Sequence, residues 1–210
     1  MTDLSYKAKW KSVICLDNWL SPNDYSCKVH FDIETDNGDE QNIAFERCKV
    51  FFDTILHQSL IINIANPLLQ ILQKKTEQRI ITIPNDPLDL VIGNVIYHKL
   101  NAITDGRISV QQVDIKSSQG DNIWIHFDQD FSENSNLCEL ELFKTINETP
   151  WWYRNDASHT DWFEHTKKEV KFHKHTVPWD KDLLWNQKDA KVERIQKWKP
   201  TIIDGGKTQH

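Results

Sequence analysis

The sequence predicts an α+β fold: an antiparallel sheet with two helices on one face, in the order strand, strand, helix, helix, strand, strand (ββααββ), followed by a tryptophan-rich C-terminal extension. Three observations lead to this prediction. Residues 25–34 alternate apolar and polar side chains, as a half-buried strand does. Residues 43–59 carry an apolar stripe of helical period, and Asp86-Pro87 is a typical opening for a second helix.

The first two strands are predicted from alternation. Tyr6, Ala8 and Trp10 alternate with lysines, and the pattern continues to about residue 16. Turn-forming residues at 20–24 separate this strand from a second one over 25–34. The side chains expected on the core side of the second strand are Tyr25, Cys27, Val29, Phe31 and Ile33.

The two helices follow. The first covers 43–59, and the second begins at Asp86-Pro87 and continues to about Ile103. Between them, Pro67 begins a short helix and residues 79–83 are predicted to be extended. The apolar stripes comprise Phe45, Cys48, Phe52, Ile55 and Leu56 in the first helix, and Leu88, Ile92, Val95, Ile96 and Leu100 in the second.

A hairpin is predicted next, with strands over 108–116 and 122–128. Its alternation slips at Gln111-Gln112, which indicates a β-bulge. Residues 138–142 alternate again and predict a fifth strand.

Charge is distributed unevenly along the 210 residues. Residues 1–148 carry 13 Lys and Arg against 22 Asp and Glu, a net charge of −9, whereas residues 149–210 carry 12 against 9, a net charge of +3. Phosphate binding needs clustered Lys and Arg, so this acidic composition argues against nucleic-acid binding. We expect an α+β domain over 1–148 and an extension over 149–210.

The extension is rich in charge and tryptophan but poor in aliphatic residues. Six of the nine tryptophans lie between Trp151 and Trp198. Such a segment cannot build a core of its own, so its aromatic side chains are expected to pack on the main domain or on a neighbouring subunit. We expect burial of Trp151, Trp152, Trp162 and Trp179.

Cysteine usage and hydropathy favour a cytoplasmic protein. Cys15, Cys27, Cys48 and Cys138 are scattered within apolar patterns and are interpreted as free thiols, although their even number leaves disulfides open. The polar, lysine-rich start of the chain is unlike a signal peptide, and its apolar runs are too short for a membrane span.

Three segments resemble the 6-pyruvoyltetrahydropterin and 6-carboxytetrahydropterin synthases of the tunnelling-fold (T-fold) superfamily. Residues 45–60, ending in Leu56-His57-Gln58-Ser59-Leu60, resemble the family's first helix and its Leu-Asp-His-x-x-Leu ending. Residues 85–100 resemble the second helix, and Val113-Asp114 lies where the family has a pterin-anchoring strand glutamate. Together with the strand order, these matches span residues 6–128, about 60% of the chain.

The resemblance assigns candidate roles to three residues. His57 falls on the family's catalytic histidine and is a candidate general acid or base. Asp114 is a candidate ligand-binding residue, because a carboxylate accepts two parallel N–H donors from the amidine edge of a pterin or purine. Asp89, in the first turn of the second helix, is a further ligand-binding candidate. Each also has an interpretation without a ligand, as a helix-terminal or strand-surface residue.

The family's zinc histidines are absent from the matching positions. Residues 13–16 and 22–25, where the family carries one histidine and a His-x-His, contain none. We therefore expect no zinc and no other cofactor. The histidines that remain for a metal are His159, His165, His173 and His175, whose spacing matches no recognised site.

Two functions stay open. The first is a T-fold protein that binds a pterin or purine-like heterocycle at a subunit interface, as a degenerate pterin-synthase-like lyase or as a binding protein. The second is a non-catalytic oligomeric interaction protein of the viral or phage accessory type. Both imply a homo-oligomer, because unpaired sheet edges are normally paired or covered.

Overall fold

The computed structural model describes residues 3–33, 38–135, 148–164, 167–172 and 176–179. Six strands form one sheet in the order β4-β3-β1-β2-β5-β6, and a small two-stranded sheet β7-β8 follows. The strands of the large sheet are β1 Asp3–Leu16, β2 Trp19–Asp32, β3 Leu60–Asn63, β4 Ile80–Ile83, β5 Ser109–Ser117 and β6 Ile125–Asp128. The helices are α1 Gly38–Val50, α2 Leu69–Lys75, α3 Asp89–Thr104 and α4 Gln129–Ser135.

The α+β class is therefore present, but the sheet is mixed and not wholly antiparallel. β1, β2, β5 and β6 pair antiparallel, whereas β3 pairs parallel with β1 and with β4. Residues 79–83, predicted only as extended, supply the outermost of these parallel strands. Parallel pairing requires a crossover between strands, and α2 occurs within the one that joins β3 to β4.

β1 and β2 form a hairpin of two 14-residue strands. The turn predicted at 20–24 is wrong, because those residues belong to β2, which begins at Trp19. The chain reverses instead at Asp17-Asn18, whose φ angles of 49° and 65° are both left-handed. A two-residue turn with two positive φ angles matches the twist of paired strands, and Asp and Asn tolerate that conformation.

The first predicted helix consists of two parts. α1 ends at Val50, and a π-helical segment over Phe51–Leu56 continues it to His57. The wider turn allows four apolar side chains of the segment to be buried: Phe51, Phe52, Ile55 and Leu56.

α3 matches the second predicted helix closely and packs on α1, β5 and β6. Asp86-Pro87 precedes the helix, which begins two residues after Pro87, at Asp89. Where β5 pairs with β2, the register shifts so that His30 lies opposite Gln112 and Phe31 opposite Val110. Gln111 is thus the extra residue of the predicted bulge.

The two faces of the large sheet differ in their cover. One face holds the main core, in which Trp10, Tyr25 and Phe31 pack against α1, the π-helical segment and α3. On the other face, a small cluster around Cys15 and Leu69 places α2 near β1 and β3. Residues of β1, β2, β5 and β6 that point to this second side form what we call the open face.

The described part of the C-terminal extension is integral to the core. Trp151 and Trp152 are completely buried and Trp179 nearly so, as expected, whereas Trp162 remains 40% exposed. The buried Lys99 ammonium on α3 donates to the carbonyls of Trp151, Arg154 and Asp156 at 2.8–3.0 Å. The extension therefore contributes packing and buried hydrogen bonds to the main domain.

The same segment covers one edge of the sheet. The Trp151 indole donates to the carbonyl of Thr82 on β4 at 2.6 Å, and the Asp161 amide donates to the Thr82 hydroxyl at 2.8 Å. β6 forms the opposite edge, and its outer side pairs with no strand of the described residues.

Some predictions fall outside the described residues. These include the fifth strand at 138–142 and Cys138. Cys15, Cys27 and Cys48 are buried free thiols. Within the described ranges, no helix combines the length and apolar character needed to cross a membrane.

Candidate functional site

The open face carries a cleft of about 860 Å³ near the β6 edge. It arises from strand parity: the side chains of β1, β2 and β5 that alternate with the core residues all point to this side. Among the residues that line the cleft are Lys7, Lys9, Lys28, Asp114, Lys116, Trp124 and His126.

Asp114 is at the centre of the polar contacts in this cleft and is only 8% exposed. The His126 Nδ1–H donates to its Oδ1 at 2.8 Å, and the His30 Nε2–H donates to its Oδ2 at 3.2 Å. The amide of Gln112 donates to Oδ1 as well. Burial alone would raise the pKa of Asp114, but the hydrogen bonds from Gln112, His126 and His30 outweigh it and hold the pKa below its usual range.

These contacts exist because three strands are in register. His126 of β6 lies directly opposite Asp114, and Lys28 of β2 lies opposite it on the other side. Gln112 lies two residues before Asp114 on β5 and therefore on the same face, and the bulge at Gln111 places Val110 on the core side opposite Phe31.

Trp124 forms one side of the cleft and is 42% exposed. The Lys116 ammonium lies 4.9 Å from the centre of its ring, a cation–π distance. The cleft thus combines an aromatic surface, an ionised carboxylate with two imidazoles, and several ammonium groups.

His57 lines a different cleft, of about 620 Å³, together with Asp53, Glu77 and Arg79. It follows the π-helical segment, and its Nδ1 accepts a bond of 3.4 Å from the backbone N–H of Lys11. The two clefts share no lining residue within one protomer. His57 and Asp114 could therefore act on one ligand only if different protomers contributed them.

Asp89 lies on the other side of the sheet, in the first turn of α3. The Ser117 hydroxyl donates to its Oδ2 at 2.8 Å and also accepts a bond from the Gly120 amide at 3.0 Å. Burial raises the pKa of Asp89, opposed by hydrogen bonding from Ser117. These contacts connect α3 to the β5–β6 turn, and a ligand-binding role for Asp89 stays a prediction.

His30 and His126 were not singled out from the sequence. Their polar positions in two strands placed them on the outer face, but only the strand register shows that both reach Asp114. Among the described residues, no group of three or more His, Cys, Asp or Glu side chains is arranged to hold a metal ion. His165, His173 and His175 lie outside the described residues.

No protein-family model matches the chain, and no curated protein matches its sequence. Two solved structures are similar in fold. An uncharacterized protein from Wolinella succinogenes is 12% identical, with a TM-score of 0.46, over 61% of this chain and 98% of its own. A catalytic-residue mutant of the 6-pyruvoyltetrahydropterin synthase of Plasmodium vivax is 12% identical, with a TM-score of 0.35, over 60% of this chain and 98% of its own. Both likenesses are distant, and they assign no family to this chain and no role to any of its residues.

Proposed function

We propose that the protein binds a flat, hydrogen-bonding heterocycle of the pterin or purine type in the cleft of the open face, without zinc-dependent synthase chemistry. The observation that carries the proposal is the position of Asp114: an ionised, largely buried carboxylate lies in a cleft beside an exposed Trp124. A ring stacked on the indole would present its N–H edge toward that carboxylate.

Asp114 retains hydrogen-bonding capacity for such a ligand. A carboxylate offers about four acceptor positions, and the His126, His30 and Gln112 bonds occupy three of them. One position on Oδ2 is left for a ligand donor, and displacement of Gln112 would provide a second on Oδ1. The histidines hold the carboxylate in place for either arrangement.

A second copy of the chain would complete the cleft. Trp124 and His126 lie at the β6 end of the sheet, so a protomer that docks on the outer side of β6 would border the ligand. This arrangement is the homo-oligomer expected from the sequence, and it would allow His57 of a neighbour to approach the ligand. Static light scattering at micromolar concentration tests it, and a monomer would contradict it.

Calorimetric titration with biopterin and guanosine tests the binding site. We expect Asp114→Asn to weaken binding by about 1.5–3 kcal/mol, because a charge-assisted hydrogen bond is lost. Asp17→Asn, in the exposed β1–β2 turn outside both clefts, is the matched control and should bind as the wild type does. Unchanged binding by Asp114→Asn would refute the assignment. One zinc per chain in elemental analysis would refute the exclusion of zinc chemistry.

A second candidate function, a non-catalytic interaction protein, is favoured by one observation. Trp19 at the tip of the β1–β2 hairpin is 78% exposed, and its neighbour Leu20 is also exposed. Large apolar side chains exposed together at a hairpin tip are typical of a contact surface. If this tip joins subunits, Trp19→Ser should reduce the subunit count in light scattering without changing heterocycle binding. An unchanged count would refute that role in self-association.

A further inference from the structure

The charge of the cleft is opposite to that of the chain. The full sequence carries a net charge of −6, yet the cleft brings together Lys7, Lys9, Lys28 and Lys116 around one carboxylate, Asp114. Within the described residues, none of these four ammonium groups lies within 4.0 Å of a carboxylate. The Asp114 oxygens are instead engaged with His30, His126 and Gln112.

Strand register creates this concentration of charge. Lys7 lies directly opposite Lys28, and Lys9 and Lys116 flank Ser26 on either side. Like charges placed directly opposite in a sheet disfavour folding. Because no carboxylate pairs with these lysines, their cluster is suited to an anionic ligand, whose charge would remove the repulsion between the ammonium groups.

We propose that the heterocycle of the proposed function is a base of single-stranded nucleic acid, and that the lysines of the open face bind its phosphates. This inference rests on the proposed function, because Trp124 and Asp114 receive the base in both. The base stacks on the Trp124 indole, and its polar edge meets Asp114 and His126.

The spread of the lysines favours a polymer over a single nucleotide. Lys7 and Lys9, two residues apart on β1, are separated by about 7 Å along the strand, and successive strands add about 5 Å each. Lys116 lies two strands away from β1, so the positive charge extends across the sheet and exceeds what one phosphate can contact. Lys11, paired with Asp24 at 3.4 Å, continues the row along β1.

The nature of the face favours a single strand over a duplex. A paired base presents neither a free ring face nor a free Watson–Crick edge, whereas an unstacked base can reach both an indole and a carboxylate. The acidic remainder of the protein would repel further phosphates, so binding is confined to the short stretch of backbone that crosses the open face.

Fluorescence anisotropy with a labelled 12-nucleotide dA strand and full-length protein tests the proposal. Four phosphate contacts on a single strand predict that log K falls with log salt with a slope of about −3. Lys7→Gln/Lys28→Gln should weaken binding about tenfold at low salt and bring the slope to about −1.5. Lys74→Gln/Lys75→Gln, two exposed lysines of α2 outside the cleft, is the matched control and should change neither value.

The base contact has its own pair of variants. Trp124→Ala should weaken dA-strand binding about tenfold or more, whereas Trp19→Ala, at the exposed hairpin tip, should leave it unchanged. The corresponding duplex should bind less tightly than the single strand, and inorganic triphosphate should compete only weakly.

The outcomes separate this inference from the proposed function. If guanosine binds in an Asp114-dependent way and the dA strand binds no more tightly than guanosine, the nucleic-acid inference is wrong and the heterocycle site stands. If neither binds, both are wrong. The inference is also refuted if the Lys7→Gln/Lys28→Gln variant binds the single strand as tightly as the wild type does, or if the duplex binds as tightly as the single strand.

Discussion

Replacing Gly93 with alanine should test how closely α3 must approach the sheet. A Cβ at position 93 would lie 2.8 Å from Cδ2 of Phe127, and Cε2 and Cζ of that ring would be nearer still. Carbon atoms in favourable contact are about 3.5–4.0 Å apart, so the ring must move by about 1 Å or more. Phe127 is completely buried and packs edge-on against Phe131 with ring centroids 5.0 Å apart, so it has little space to move.

The expected cost follows from two opposing effects. Overpacking in a well-packed core destabilises by about 1–3 kcal/mol. Alanine in a helix interior is more favourable than glycine by about 1 kcal/mol. Because the ring is enclosed on all sides, we expect overpacking to prevail and Gly93→Ala to lower the free energy of unfolding by about 1–2 kcal/mol.

Urea denaturation followed by circular dichroism measures this change. Gly38→Ala is the matched control, because a Cβ at position 38 of α1 meets nothing within 4 Å, and its stability should be unchanged or slightly higher. Phe127→Leu in the Gly93→Ala background should recover part of the loss by creating space. A Gly93→Ala protein as stable as the wild type would refute the close packing of α3 on β6. Since β6 also carries His126, the substitution should weaken ligand binding in the cleft.

Three further substitutions or truncations test the remaining structure. Lys99→Met should lower the free energy of unfolding by about 2–4 kcal/mol, measured in urea, because three carbonyls, two of them buried, lose their donor. An unchanged midpoint would contradict the role of Lys99 in holding the extension. Burial lowers the pKa of His98 to about 4 in the folded chain, whereas a histidine in the unfolded chain has a pKa near 6.5. Between these two pH values, the unfolded chain binds a proton that the folded chain does not. Stability should therefore fall as the pH decreases from about 6.5 to about 4, and His98→Gln should flatten this dependence in thermal melts. Truncation after Thr149 should expose the surface that Trp151 and Trp152 cover and cause aggregation or an altered subunit count; a soluble product of unchanged size and melting temperature would show that the extension is independent.

Much of the core was predictable from local patterns. The alternation in β2 predicted which side chains face inward, and Tyr25, Cys27, Val29 and Phe31 are all buried. The helical period predicted α3, and the slip at Gln111 predicted the bulge. These features depend on neighbours within a few residues, so a periodic sequence specifies them before any long-range contact forms.

Two of the wrong predictions share one physical origin. A turn at 20–24 and a wholly antiparallel sheet were inferred from residue type, but the left-handed pair Asp17-Asn18 and the parallel pairing of β3 depend on which strands meet. Short apolar strands such as β3 and β4 carry no signal for their direction relative to a partner. The boundary between a domain over 1–148 and an extension over 149–210 stays a prediction.

By itself, the sequence determined the faces of the main strands, the existence of α1 and α3, and the position of Asp114 as an outward carboxylate beside a bulge. Only the tertiary structure decided what surrounds that carboxylate. His30, His126 and Lys28 come from strands far apart in the chain, and their approach to Asp114 depends on register. Period-two alternation assigns a side chain to a face but not to a neighbour, because every register that shifts by two residues preserves the same pattern. For the same reason, the total charge of the chain gave no indication of the lysine cluster, which exists only where β1, β2 and β5 lie side by side.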